Sequence, residues 1–191
     1  MKKYQIIYAD PPWDFSHNMW SAGKGGYYKK TEEEYQVMST IDICKLPVKE
    51  ITDKDCILFL WTTDAHLPDA LKVIESWRFE YKTIGFYWLK KEKSGKQVCY
   101  MGCWTMKCGE ICLLATKGKM LKYLKVNNIR QLVEASRNKN SQKPDEVRNR
   151  IVKMFGNLPR IELFARQKTE GWDCLGNEIS GKDINDELTK Q

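Results

Sequence analysis

Asp10-Pro11-Pro12-Trp13 is the stretch whose residue types are equipped for chemistry. It follows Ile6-Ile7-Tyr8-Ala9, a nearly continuous apolar run of the kind that forms a strand buried on both faces. Two prolines end such a strand, because they lack a backbone donor and hold φ near one value. The strand therefore delivers a carboxylate, rigid proline carbonyls and an indole to a stiff corner at its carboxyl end, where open α/β sheets bind ligands. That set suits an amino group conjugated to a π system, such as the exocyclic nitrogen of adenine. Such a nitrogen is a poor nucleophile because its lone pair is delocalised into the ring. Asp10 and a proline carbonyl can each accept one of its N–H bonds, which localises the lone pair on nitrogen. Both interactions strengthen as positive charge develops there, a preorganised electrostatic stabilisation. Trp13 offers a face on which a purine can stack. Asp10, Pro11, Pro12 and Trp13 are thus the expected catalytic residues.

The elements that must position this corner follow in order. Asp14 to Lys30 has neither helical nor strand period, and a loop of that length is usually functional or disordered. Ile41 to Leu46 reads as one or two helical turns stopped by Pro47. Cys56 to Trp61 is a second buried strand, ending at Thr62-Thr63-Asp64, where a side-chain oxygen is expected to cap a helix over about Leu67 to Trp77. Tyr81 to Leu89 reads as a strand with Ile84, Phe86 and Trp88 on one face. A second long loop, Lys90 to Lys107, leads into a strand over Glu110 to Thr116. Asn128 to Glu134 is a further strand candidate, and Pro144 to Phe155 a helix with acids in its first turn. Arg160 to Ala165 is the last strand. One domain, residues 1–179, is expected, with a polar, fraying tail over 180–191. Strands alternating with helices imply an α/β fold with a mostly parallel sheet, which would bring the two long loops over one sheet edge.

Composition narrows the partners. Lys and Arg outnumber Asp and Glu by 32 to 25, and the net charge of +7 suits a polyanion. The basic residues cluster at Lys24 to Lys30, Lys90 to Lys96, Lys117 to Lys125 and Arg137 to Lys143. Trp20, Tyr27 and Tyr28 stand among lysines, a mixture that stacks bases and neutralises phosphates. Cys99, Cys103, Cys108 and Cys112 lack the paired C-x-x-C spacing of common zinc sites, so no metal is expected. No apolar run approaches a bilayer span, and Met1-Lys2-Lys3 leads into a strand rather than a signal peptide. No membrane association and a cytoplasmic location are expected.

Tyr8-Ala9-Asp10-Pro11-Pro12-Trp13, Tyr35-Gln36-Val37-Met38-Ser39, Leu58-Phe59-Leu60-Trp61, Lys143-Pro144-Asp145-Glu146 and Ile161-Glu162-Leu163-Phe164-Ala165-Arg166 occur in that order. With Trp172 and Leu175-Gly176-Asn177, this series resembles the MT-A70 family, which includes the eukaryotic messenger-RNA adenosine methyltransferase. The resemblance covers Tyr4 to about Glu178. It implies a Rossmann-like class I methyltransferase fold with helices on both faces, permuted so that the catalytic strand comes first and the cofactor strand near the end. It further implies methyl transfer from S-adenosylmethionine to adenine N6. By resemblance, Asp10, Lys143, Phe164, Arg166, Lys168, Asn177 and Glu178 line the cofactor pocket. Asn177 and Glu178 carry the acceptors that ribose hydroxyls need. Tyr35 matches a tyrosine near the target base. The shortness of the chain suggests a phage or bacterial member, acting in the host cytoplasm if phage-encoded.

The sequence departs from the family at Gly109, where members often carry a lysine. Lys107 stands two residues earlier as a candidate replacement. The expected substrate-binding residues are therefore Trp20, Tyr27, Tyr28, Tyr35 and Lys107. Without a zinc-finger module, target choice falls to the loops or to a partner chain in a homo- or heterodimer. The leading expectation is an adenine-N6 methyltransferase acting on nucleic acid, DNA favoured over RNA because of the small form. A catalytically silent nucleic-acid-binding subunit is the alternative. Methylation of a protein amide suits the corner but not the basic loops.

Overall fold

The computed structural model describes residues 2–14, 37–102, 104–137 and 142–190. Its strands are β1 (Tyr4–Ala9), β2 (Thr52–Thr62), β3 (Glu80–Lys91), β4 (Gly109–Lys117), β5 (Leu132–Ser136), β6 (Arg160–Leu163) and β7 (Asp173–Leu175). Its α-helices are α1 (Thr40–Lys45), α2 (Leu67–Ser76), α3 (Asp145–Phe155), α4 (Asn177–Ser180) and α5 (Ile184–Thr189). Ile6, Ile7, Tyr8 and Ala9 are fully buried, as their apolar run requires. Strand alternation sends Ile7 and Ala9 to one core and Ile6 and Tyr8 to the other.

The strands form one sheet in the order β5-β3-β4-β2-β1-β6-β7. Among the described strands, only β4 runs antiparallel to its neighbours, β2 and β3. All other described pairs are parallel, so the mostly parallel sheet expected from the sequence is present. One core gathers buried residues of α1, α2 and α5, including Ile43, Val73 and Leu188. The other gathers Val147, Ile151 and Phe155 of α3. Helices thus cover both faces. Trp77, just past α2, donates its ring N–H to Ile43 O at 2.9 Å and ties α2 to α1. Gly156 ends α3 at φ 72°, a left-handed backbone that glycine adopts without strain. No helix among the described residues is long and apolar enough to cross a membrane.

The chain leaves β1 for β2 on one side of the sheet, while β6 leads to β7 on the other. Such a switch opens a crevice between the carboxyl ends of β1 and β6. Asp10 follows β1 and Phe164 follows β6, so the crevice lies between them. The permuted order places those two strands side by side although they are joined through almost the whole chain.

Several local expectations are corrected. Ile84 does not share a face with Phe86 and Trp88; it packs on the α1/α2 core, because the register shifts between Ile84 and Phe86. The strand expected at Asn128 to Glu134 begins only at Leu132. No side-chain oxygen caps α2; a 3-10 turn over Asp64–His66 precedes it, and Thr63 Oγ1 meets His66 Nδ1 at 3.1 Å instead. β7 gave no sequence signal, being three residues long. The 180–191 tail contains α5, whose Ile184 and Leu188 are buried, so two apolar residues suffice to dock a segment whose composition reads as polar.

Candidate active site

The corner after β1 is pinned from several sides. Trp13 N–H donates to Pro11 O at 2.9 Å, and Met38 N–H donates to Pro12 O at 2.8 Å. Each carbonyl keeps a second lone pair for a ligand donor. Trp13 donates its ring N–H to Trp61 O at 3.0 Å and stacks on His66 with centroids 5.6 Å apart. The indole is 5 % exposed. Trp13 is therefore an anchor for the corner, and the open stacking face expected of it is taken by His66. His66 also meets Asp14 O through Nε2 at 3.0 Å, holding the chain just beyond the corner. Nothing in the sequence marked His66 as part of the corner, because Asp14, which it meets there, lies 52 positions away.

Behind Asp10 stands an alternating chain of charge. Lys143 Nζ donates to Asp10 Oδ2 at 2.7 Å and lies 3.1 Å from Glu110 Oε2. The other Glu110 oxygen accepts from Lys90. Lys143, Glu110 and Lys90 are buried, while the Asp10 side chain keeps about a fifth of its surface open. Burial by itself would raise the Glu110 carboxyl, but the two flanking ammonium groups hold it below its ordinary range. Burial would likewise lower Lys143, and the charges of Asp10 and Glu110 hold it above instead. The chain thus carries fixed, opposed charges. Lys143 was legible from its Lys-Pro motif. Glu110 and Lys90 carry no such mark.

Gly109 explains itself structurally. A Cβ built there would fall 2.4 Å from Trp88 O, so a side chain at this position forces the strand pair apart. The cation beside Glu110 is supplied across that pair by Lys90. Lys107 does not take this place; its Nζ donates to Asp64 Oδ2 at 2.7 Å.

In front of Asp10 is a cavity of about 280 Å³, lined by Asp10, Pro12, Met38, Phe164, Arg166, Asn177 and Glu178, with Gly181 to Ile184 on its far side. Phe164 holds φ at 61°, unusual for a bulky residue and a form of strain that clusters at functional sites. Arg166 Nε lies 3.5 Å from Glu178 Oε1. The structure thus gathers Asp10, Phe164, Arg166, Asn177 and Glu178 at one cavity, with Lys143 directly behind. Lys168 is not among them. It lines a separate, larger cavity with Lys2, Tyr4, Trp172 and Asp173, because the chain turns between Arg166 and β7. Trp20, Tyr27, Tyr28 and Tyr35 lie outside the described residues. Of the four cysteines weighed as ligands, Cys112 is buried in β4 and Cys99 is exposed.

A family model described as MT-A70 matches residues 4–178. The chain is 39 % identical over 200 residues to a type II methyltransferase, M.MunI, from a Mycoplasma species, covering 96 % of this chain and 81 % of that protein. It is 25 % identical over 183 residues to the human N(6)-adenosine-methyltransferase catalytic subunit METTL3, covering 94 % of this chain and 29 % of the relative. A probable N(6)-adenosine-methyltransferase MT-A70-like protein from rice is also 25 % identical, over 97 % of this chain and 24 % of its own length.

Proposed function

The chain belongs to the MT-A70 family of adenine-N6 methyltransferases, and from that premise we propose that it moves the methyl group of S-adenosylmethionine to adenine N6 in DNA rather than RNA. The observation that carries the site assignment is the juxtaposition of Asp10, held by Lys143, with the cavity walled by Phe164, Arg166, Asn177 and Glu178. Those residues fit the cofactor. Asn177 and Glu178 offer acceptors for ribose hydroxyls, Phe164 and Met38 an apolar wall for the adenine ring, and Arg166 a cation for the carboxylate. When bound, S-adenosylmethionine supplies an electrophilic methyl group on a sulfonium.

The rest of the work belongs to this chain. Asp10 and the second lone pair of a proline carbonyl of the corner accept the two N–H bonds of the amino group and turn its lone pair toward the methyl. Methylation of the nitrogen would leave one amino proton to depart, and the Asp10 carboxylate that accepts that N–H would take it up before passing it to solvent. Lys143 keeps Oδ2 in place, so Asp10 does not reorganise while charge develops on nitrogen. Trp13, locked on His66 and Trp61, holds the corner against the displacement that would misalign donor and acceptor. Trp20, Tyr27, Tyr28, Tyr35 and Lys107 remain the residues we assign to the nucleic acid around the target. Similarity to the type II methyltransferase exceeds that to relatives named for adenosine, a ribonucleoside, and this supports DNA. The basic loops suit a phosphate backbone, and the cytoplasm is the compartment we assign to the reaction.

The test uses labelled S-adenosylmethionine with single- and double-stranded DNA and RNA, followed by nucleoside analysis. Label in N6-methyldeoxyadenosine is expected, with at least about a 10³-fold loss in Asp10→Ala at unchanged fold. An equally active Asp10→Ala would overturn the mechanism. Oligonucleotide binding without any methyl transfer would instead make the chain a silent subunit that needs an active partner.

A further inference from the structure

Trp104 is 96 % exposed, whereas Trp13, Trp61, Trp77, Trp88 and Trp172 are each 9 % exposed or less. Met101 and Met106, at 83 % and 55 %, flank it at the same tip. The tip does not hang loose. Tyr100 N–H donates to Lys107 O at 2.7 Å and Lys107 N–H returns to Tyr100 O at 2.8 Å, closing a narrow antiparallel stem. Lys107 Nζ fastens that stem to Asp64 beyond the end of β2. Arg137 donates to the Tyr100 hydroxyl at 3.4 Å, and Lys90 Nζ lies 5.5 Å from the Tyr100 ring centroid. At the tip, a Cβ on Gly102 would fall 2.3 Å from Thr105 O, so that position has room for glycine alone. A braced stem thus holds three large apolar side chains out in water, which folding does not explain.

Charge and position say what the tip meets. Residues 93–107 include Lys93, Lys96 and Lys107 and no acid. Three residues beyond the stem, Glu110 holds Lys143, and Lys143 holds Asp10. The stem therefore stands at the sheet edge that carries the amino-binding corner. Asp10 is recessed there, and an adenine stacked and paired in a duplex cannot reach a recessed group without leaving the helix. Apolar side chains that enter between base steps partly unstack and kink a duplex, which lowers the cost of extruding a base beside them. We propose that Trp104, backed by Met101 and Met106, enters a DNA duplex beside the target and occupies the space the flipped adenine vacates. This rests on the adenine-methylating reading and extends it to double-stranded substrate.

The test compares wild type, Trp104→Ala and Trp104→Phe on three DNAs of one sequence: the duplex, the target strand alone, and a duplex with an abasic site opposite the target adenine. Initial methylation rates are read on each. A duplex carrying 2-aminopurine at the target reports unstacking without methyl transfer. Trp104→Ala should lower the ratio of duplex to single-strand rate at least tenfold and remove the fluorescence rise. The abasic site should restore its rate, and Trp104→Phe should recover part of the loss. An unchanged ratio, an equal loss on all three DNAs, or a wild type active on single strands alone would each overturn the insertion. A loss accompanied by a shift from dimer to monomer in sedimentation would do the same, assigning the tip to a second copy of the chain. A wild type that raises 2-aminopurine fluorescence through Trp104 yet methylates no adenine would overturn the methyltransferase reading and leave the insertion standing.

Discussion

Two clusters of buried polar side chains flank β1, built from the same ingredients and satisfied in opposite ways. Toward the carboxyl end, Lys90, Glu110, Lys143 and Asp10 alternate in sign, and each buried carboxylate oxygen of Glu110 faces an ammonium. In the core beneath α3, one residue before β1 ends, Tyr8 stands opposite Glu162 of β6 in register. Arg148 donates to Glu162 Oε1 at 3.0 Å and lies over the Tyr8 ring. Yet Tyr8 Oη, Glu162 Oε2, Arg148 Nε and Thr169 Oγ1 are buried with no partner at hydrogen-bond geometry among the described residues. One cluster is electrically closed, and the other is left open.

The difference shows in the acids. Glu110 sits low because two cations outweigh its burial. Glu162 is pushed up to about 7, first by burial and then by the charges of Asp10 and Asp145, against the single counter-charge of Arg148. A matched chain of charge makes a rigid support for a carboxylate that must not move during chemistry. An unmatched cluster makes a group that titrates near neutrality inside the core, and that costs stability.

Breaking the closed cluster should have the largest effect. Lys143→Met removes the cation between Asp10 and Glu110, leaving Glu110 with Lys90 alone and Asp10 without its ammonium. A loss of 3–5 kcal/mol in urea unfolding is expected, the usual range for stripping one partner from a buried ion pair, with methyl transfer falling about 10³-fold. Activity within tenfold of wild type would mean that Asp10 holds its place without the chain. Arg148→Met in the open cluster should cost less, about 2–3 kcal/mol at pH 7, because Glu162 can take up a proton there and shed its charge. Equal losses for the two variants at that pH would erase the distinction.

Glu162→Gln sharpens it through pH. The folded carboxyl is raised from 4.5 to about 7, so its favourable neutral form contributes fully below pH 4.5 and is lost as pH climbs to 7. The wild type should therefore lose roughly 2–3 kcal/mol across that window from this residue, and the variant should not. Melting temperatures at pH 4.5, 6 and 7.5 read the slope, and parallel curves would assign the pH dependence elsewhere. The smallest effect belongs to Tyr8→Phe. Its hydroxyl is buried with no hydrogen-bond partner among the described residues, so removal should change stability by less than about 1 kcal/mol, in either direction. A loss above 2 kcal/mol would show the phenol to be hydrogen-bonded after all.

The corner, the strands that are apolar throughout and the two amphipathic helices were legible because each is written in neighbouring residues. Prolines stop a strand wherever it lies, and Val147, Ile151 and Phe155 define a face without knowing what covers it. The cavity-lining residues Phe164, Arg166, Asn177 and Glu178 were legible only as a motif series, and Lys168, counted with them, turned out to face another cavity. Trp13 was read correctly as part of the corner but its open face was not, since His66 reaches it from the far end of β2.

By itself, then, the sequence determined that a carboxylate would stand on a stiff corner at the end of a buried strand, inside a parallel α/β fold. The tertiary structure decided what stands behind and in front of it. Lys143 meets Asp10 across 133 positions of chain, through a sheet order that puts the first strand beside the sixth. Local composition carries no record of such an order, because partners that distant are chosen by how whole strands and helices pack. The corner is a property of four residues. Its charge, its anchor and its cavity belong to the sheet.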